Sequence, residues 1–441
     1  MGNSVKAGIR LHHLAGWSYI DPMLAILPLL VSLSSASPMK VVGYFPDWAD
    51  STFSTAKLDF GKVTHVAWSF AIPDSQGNLG TLSGTKAKRL DTLVKTAHAQ
   101  GVKVVVSLGG GGSSEGFAYF SARDSLRAHF CSQVMRWIRD YQLDGADLDW
   151  EPPTKADTGS LRKLVIQLRD SLGPDRSLSM AVPCSNWSGR WVPIESIVSK
   201  IDWLGNMTYD ITGVWDDLAR YNSPLYKHMD WSIDWSFSDG MDYWAGRGVP
   251  KEKILGGVPF FGFLFPQARK PGDSITTATS KTYKAVNTLL AQGGWTTRWD
   301  SISRVPWATH PTQGYLTWDD PRSVAEKGRW LAANQYGGAI IWELTQDWTL
   351  PESRPLLDSL WYSLGTAGIT PRSIRGAWAP VRSGGQMESA DPFEIMDANG
   401  RILARSVPQG AIHVARLDGL RSGVLILRNP ARNQSIRWTR P

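Results

Sequence analysis

The chain of 441 residues contains only two cysteines, Cys131 and Cys184, and eight histidines. Two cysteines exclude a disulfide-built scaffold and leave at most one bridge open. There is no H-E-x-x-H and no paired C-x-x-C, so neither a metal nor any other cofactor is expected. Long apolar runs are scarce too. The stretch 23–33, MLAILPLLVSL, is about half of the roughly 20 residues a spanning helix needs, and Pro28 interrupts it, so no integral membrane span is expected. Lysine is missing from residues 366–441, which hold 11 Arg against five acids, a net +6 of the chain's +7. Those arginines are scattered through apolar alternation and form no run, which points to solvated strand faces and not to a nucleic-acid site. What is abundant is tryptophan: 22 residues, several times the roughly 1% of an average globular chain. A hydrophobic content of 42% with 20% charged residues fits a folded protein, and one core rarely extends past about 300 residues, so a second unit is expected.

The N-terminus carries Lys6 and Arg10 before the apolar run, and Ser34-Ser35-Ala36 supplies small residues after it. This is the pattern of a signal peptide over residues 1–36, and it predicts a secreted or cell-surface protein. From Lys40 onward, short Val- and Ile-rich runs at 40–45, 63–70, 102–107, 145–151, 178–183, 202–208, 254–260 and 338–342 alternate with helix-spaced stretches such as 87–100, 125–141, 159–172 and 323–334. Strand then helix, eight times over, predicts an α/β fold: a (β/α)8 TIM barrel over 39–365, with the long connection 262–313 as a small insertion between strands 7 and 8. A doubly wound sheet competes, but Gly43-Tyr44-Phe45-Pro46-Asp47-Trp48 after the first strand is neither a phosphate loop nor a dinucleotide fingerprint. Residues 366–391 read as a linker, through Arg382-Ser383-Gly384-Gly385. Residues 392–441 read as a small β-sandwich without a catalytic cluster.

The chemistry concentrates in Asp144-Gly145-Ala146-Asp147-Leu148-Asp149-Trp150-Glu151. On a strand, Asp147, Asp149 and Glu151 point to one face while Leu148 and Trp150 point to the other. A core strand does not bury three acids without a use. Carboxylates this close cannot all ionise, so they titrate as a set with one member's pKa raised, which supplies a general acid at neutral pH. Glu151, at the C-terminal end of the strand, is best placed for that role. A calcium site would need a loop that wraps the cation, and a single strand lacks one.

This segment resembles the signature of family 18 glycoside hydrolases, the chitinases and endo-β-N-acetylglucosaminidases. Other segments resemble that family in order: Ser107-Leu108-Gly109-Gly110, Met207-Thr208-Tyr209-Asp210, Tyr221-Asn222-Ser223-Pro224-Leu225-Tyr226, Gly257-Val258-Pro259-Phe260, Trp318-Asp319-Asp320-Pro321 and Gly338-Ala339-Ile340-Ile341-Trp342-Glu343. The resemblance covers about 39–365. It implies a retaining hydrolase of β-1,4-linked N-acetylglucosamine polymers in which the substrate's 2-acetamido oxygen is the nucleophile and an oxazolinium forms. It assigns Glu151 as acid and base, Asp149 as partner of the acetamido N–H, Tyr209 as donor to the acetamido carbonyl, and Asp147 as a carboxylate sharing a proton with Asp149. Tyr44 and Ser107 support that pair, Met207 and Asp210 line the cleft, and Trp342 is the floor beneath the sugar. Trp48, Trp187 and Trp215 follow strand ends, where sugar rings stack, or they pack. The chain departs from the family pattern at Gly111, where many chitinases carry a tryptophan beyond the cleavage point, and at Phe261 and Phe263, where many carry Tyr and Arg. The same resemblance leaves N-glycans or peptidoglycan as an alternative substrate. A non-catalytic chitin-binding lectin is disfavoured because Glu151 is present. The tail more weakly resembles sorting domains of the type IX secretion system, through Ile395-Met396-Asp397-Ala398-Asn399-Gly400-Arg401 and 417–425, so outer-membrane secretion machinery is a candidate partner. A carbohydrate-binding or wall-attachment module is the other reading of the tail. Chitin-type oligosaccharides are the expected ligands and a monomer the expected state.

Overall fold

The computed structural model describes residues 39–49, 55–228, 235–349 and 353–365, together with strand segments between 381 and 440. The expected signal peptide lies outside the described residues. In chain order the barrel strands are β1 Lys40–Pro46, β2 His65–Ala71, β3 Lys103–Gly109, β4 Gly145–Asp149, β5 Ser177–Pro183, β6 Trp203–Met207 and β7 Ile254–Pro259. Next come β8 Phe261–Phe265, β9 Thr279–Thr282, β10 Thr296–Asp300, β11 Val305–His310 and β12 Gly314–Thr317, which pair as one five-stranded sheet, and then β13 Gly338–Trp342. β13 pairs in parallel with both β7 and β1 and closes an eight-stranded barrel. The expected TIM barrel and its insertion are both present, the inserted sheet holding its own helix, Tyr283–Ala291.

Local sequence explains the elements. The strands are buried on both faces, so β3 reads as the near-continuous run KVVVSLG, as parallel strands under a helical layer do. The helix Thr158–Leu172 buries Leu161, Leu164, Val165, Leu168 and Leu172, a stripe at helical spacing, and ends at Gly173 with φ 72°, a conformation that costs glycine little. The helix Pro321–Ala333 starts with Pro at its first turn and a reciprocal Asp320–Ser323 cap,.

Three boundaries differ from expectation. β4 ends at Asp149, not Glu151, because Trp150 and Glu151 leave the ladder to enter the active-site loop. The first connection holds only two short 3-10 turns, Thr55–Lys57 and Phe60–Lys62, among its described residues. Within the stretch read as a linker, Val381–Ser383 and Gln386–Ser389 form an antiparallel pair with Ser383 opposite Gln386. These strands pair on with Ile412–Arg416 and Val407–Gln409, and a second antiparallel sheet joins Ile402–Arg405, Glu394–Asp397, Gly423–Asn429 and Gln434–Arg440.

The barrel interior is filled at its lower end by Val42, Ala67, Val105, Trp203, Leu255 and Ile340, with Tyr44, Met207 and Trp342 above them. A second core, made by Tyr209, Tyr221, Phe261, Phe263, Phe265 and Tyr315 among others, joins the insertion to the barrel mouth. Cys131 is buried on the helix Asp124–Tyr141 and Cys184 follows β5; both are free thiols. Among the described residues no helix is long and apolar enough to cross a membrane and no group of side chains is placed to hold a metal ion.

Candidate active site

Register alone assembles the deepest polar layer. Asp147 on β4 is opposite Ser107 on β3 and Ser179 on β5. Ser107 donates to Asp147 Oδ2 at 2.9 Å, Tyr44 donates to the same oxygen at 2.8 Å, and Ser179 donates to Oδ1 at 2.6 Å. Burial raises the Asp147 pKa while the three donors pull it back, and burial wins,. Every oxygen of Asp147 is thus engaged by hydroxyls. The expected proton sharing between Asp147 and Asp149 is not the arrangement here, because Asp149 turns to Glu151 instead.

Asp149 is buried and its carboxyl hydrogen-bonds that of Glu151, while its Oδ1 has no partner among the described residues. Burial first, then the charges of Glu151 and Asp147, hold its pKa well above the ordinary carboxylate value. Glu151 is half-buried; burial raises its pKa as well, against hydrogen bonds from Asp149 and from the Gly111 N–H. The two acids form one titrating unit, and Asp149 keeps the proton in the free site. The backbone carrying them is clamped by Ser114, whose hydroxyl accepts from Glu151 N at 2.9 Å and lies 3.1 Å from the Asp149 carbonyl. Trp150 faces away and stacks on Phe117 with centroids 5.1 Å apart.

The opposite wall comes from the turn after β6. Tyr209 rests edge-on against Phe261 at 5.8 Å, in space that Gly257 leaves open, since a Cβ there would sit 2.8 Å from the tyrosine ring. Its hydroxyl makes no hydrogen bond among the described residues, and Glu151 and Asp149 lie close enough to raise its pKa after burial has done so. Asp210 adopts φ 56°, a left-handed conformation costly for an ordinary residue, and Asn222 Oδ1 holds its amide at 3.0 Å. Its side chain reaches solvent at the cleft although walls surround it; burial and then Glu151 raise its pKa to about 7, a rise that solvent at the tip limits. Behind this turn, Ser223 donates to the Thr208 carbonyl at 2.6 Å and accepts from Lys327 Nζ at 2.8 Å, and Lys327 is paired with Asp319 at 2.6 Å. Both charges are buried, so removing either partner leaves the other uncompensated.

Trp342 forms the floor between two aromatic groups. Tyr44 lies 5.6 Å from it, Phe70 stacks on it at 5.7 Å and Trp48 stands at 6.4 Å. Met207, like Trp342, packs against the lower core of the barrel. On the other side Trp215, 62% exposed, meets Phe263 edge-on at 6.2 Å. Trp187 is also exposed, after β5. The structure therefore brings Tyr44, Ser107, Asp147, Asp149, Glu151, Met207, Tyr209, Asp210 and Trp342 to one mouth, with Trp215 at its rim. Sequence reasoning missed Ser179, Ser114 and Phe70, and gave Asn222 only within the segment 221–226 with no role of its own. Only Ser179 left a signal, the alternation Ser177-Leu178-Ser179-Met180 in a core strand.

The chain is similar to known proteins. The family model for glycosyl hydrolases family 18 matches residues 40–347. An endochitinase of Manduca sexta is 29% identical over 79% of this chain and 71% of its own length. Chitinase A1 of Niallia circulans is 24% identical over 80% of this chain and 62% of its own. Among solved structures, a chitinase from Rhizomucor miehei superposes with TM-score 0.66 at 25% identity, covering 74% of this chain and all of that one. The Group IV chitinase of Ostrinia furnacalis in complex with allosamidin gives 0.69 at 23% identity over 75% of this chain and 99% of that one. The family model spans well over half of the chain, and this chain belongs to glycosyl hydrolase family 18.

Proposed function

We propose that the protein is a secreted chitinase that hydrolyses β-1,4 bonds between N-acetylglucosamine units with retention of configuration. The observation that carries the reading is the buried line Asp147, Asp149, Glu151, in which only Glu151 reaches the open cleft and Asp149 keeps one oxygen without a partner.

A sugar seated on Trp342 places its 2-acetamido group between Asp149 and Tyr209. The acetamido N–H needs an acceptor, which Asp149 becomes by passing its proton to Glu151. Tyr209 donates to the acetamido carbonyl and holds its oxygen against C1. That oxygen bonds to C1 as the C1–O bond to the leaving sugar breaks, and the Glu151 proton goes to the departing oxygen. Water then adds to C1 from the vacated side, Glu151 takes its proton, and the oxazolinium opens with configuration retained. Orientation and charge stabilisation carry this step more than base strength does. Export rests on the signal-peptide pattern of residues 1–36, and we read the C-terminal sheets as a small sandwich for sorting or attachment. The monomeric state is part of the same proposal.

The test is product analysis of N-acetylglucosamine tetramer and hexamer with the intact protein and with Glu151→Gln. Release of β-anomeric dimers or trimers by the former and a loss of about 10³-fold in the latter is expected. Cleavage of glycopeptides or peptidoglycan but of neither oligomer overturns the chitin assignment and favours the alternative that Gly111, Phe261 and Phe263 leave open.

A further inference from the structure

Outside the cleft, the loop leaving β2 and the short helix Glu115–Phe120 after β3 enclose a hollow of about 330 Å³, with Ile72, Asp74, Gly112, Ser113, Glu115 and Tyr119 in its lining. That volume lies at the small end of ligand pockets, which run from about 300 Å³. Two large apolar side chains face solvent there, Ile72 at 53% and Tyr119 at 59% exposure. The Tyr119 hydroxyl and the Glu115 carboxylate make no hydrogen bond or ion pair among the described residues.

The hollow is held rigidly. Gly116 sits so close to the Pro73 and Asp74 carbonyls that a Cβ would strike both. Asp74 accepts from Gln76 N, Asn78 N and Asn78 Nδ2 at 2.8–2.9 Å, which fixes the loop. Phe117 anchors the helix on Trp150, and Arg123 donates to the Tyr119 carbonyl at 2.8 Å.

The hollow's lining runs up to the chain beside the acid. Gly112 lines it, with nothing within 4 Å of where its Cβ would stand, and on the adjacent Gly111 a Cβ would come nearest to the Glu151 carboxyl, at 3.7 Å. No side chain of Gly110-Gly111-Gly112 stands between Glu151 and Tyr119. An aromatic ring, an aliphatic side chain, a serine hydroxyl and a free carboxylate suit a neutral, polyhydroxylated ring: its C–H face packs on Tyr119 and its hydroxyls donate to Glu115. Two acids, Asp74 and Glu115, disfavour an anionic ligand.

We propose that Tyr119 and Ile72 form an additional saccharide shelf that holds an N-acetylglucosamine residue of a long chain, away from the sugar on Trp342. The inference rests on the reading of the cleft as a chitin-type site.

Its test is calorimetric binding of N-acetylglucosamine trimer and hexamer to full-length Glu151→Gln, with and without Tyr119→Ala, a surface change whose fold is checked by circular dichroism. Tyr119→Ala lowers hexamer affinity about three- to tenfold and leaves the trimer unchanged, while Tyr119→Phe keeps the hexamer affinity. Equal hexamer affinity with and without Tyr119→Ala overturns the shelf alone. If Glu151→Gln binds neither oligomer, the cleft reading falls and takes the shelf with it.

Discussion

The two ends of the barrel interior are equally buried, yet they are filled with opposite chemistry. Below, Val42, Val105, Leu255 and Ile340 pack as ordinary core. Above, Ser107, Asp147, Asp149 and Ser179 occupy the continuing inward positions of β3, β4 and β5. The lower end stabilises the fold. The upper end spends part of that stability on carboxylates held above their ordinary pKa. A parallel barrel tolerates this because the apolar plug fills the interior from neighbouring strands, and on β3 it lies two residues away, Val105 below Ser107.

Changes at the upper end break the chemistry and spare the fold. Glu151→Gln lowers kcat by about 10³-fold or more with no loss of melting temperature; a kcat loss below tenfold sinks its role as acid. Asp149→Ala, which removes the acetamido partner, lowers kcat by about 10²–10³-fold, and a fall in affinity with kcat intact would contradict that placement. At the lower end the pattern reverses. Ile340→Ala costs about 2–5 kcal/mol in denaturant unfolding while the folded fraction keeps its kcat within a few-fold; an equal stability loss at Asp149 and Ile340 would erase the distinction.

The pH dependence sharpens it further. Asp149 and Glu151 keep protons in the folded chain that the unfolded chain releases near 3.8 and 4.5. Their contribution to stability is therefore full below those values and is lost as pH rises through the raised ones. The double substitution Asp149→Asn with Glu151→Gln should flatten the decline in melting temperature above pH 4, and an unaltered slope would show that the pair is not protonated in the fold. The smallest expected effect is at Gly111: Gly111→Trp adds a ring beside Glu151 and lowers KM for the hexamer a few-fold, measured against the tetramer.

Much of this was legible in residue order because strand alternation is strict. Asp147, Asp149 and Glu151 at every second position could face only one way, and Leu148 and Trp150 the other. Glu151 nevertheless lies past the last ladder residue, a boundary that alternation does not mark. Ser114 was invisible because it acts through one hydroxyl on backbone 35 and 37 residues distant, and Asn222 was legible only as part of its segment, its hold on the Asp210 amide coming from 12 residues away. Phe70 looked like any core aromatic until β2 was seen beside β1, with its ring on Trp342.

The buried Lys327–Asp319 pair has an implication for anyone recombining these enzymes. Through Ser223 it ties the turn bearing Tyr209 to a helix on the outer wall, more than a hundred residues later in the chain. A chimera that takes the β6 turn from one parent and the segment from Asp319 through the helix Pro321–Ala333 from another keeps the ion pair but can lose Ser223, the hydroxyl that joins it to the turn. Crossover points in this barrel therefore have to carry both segments together, although no sugar touches the second.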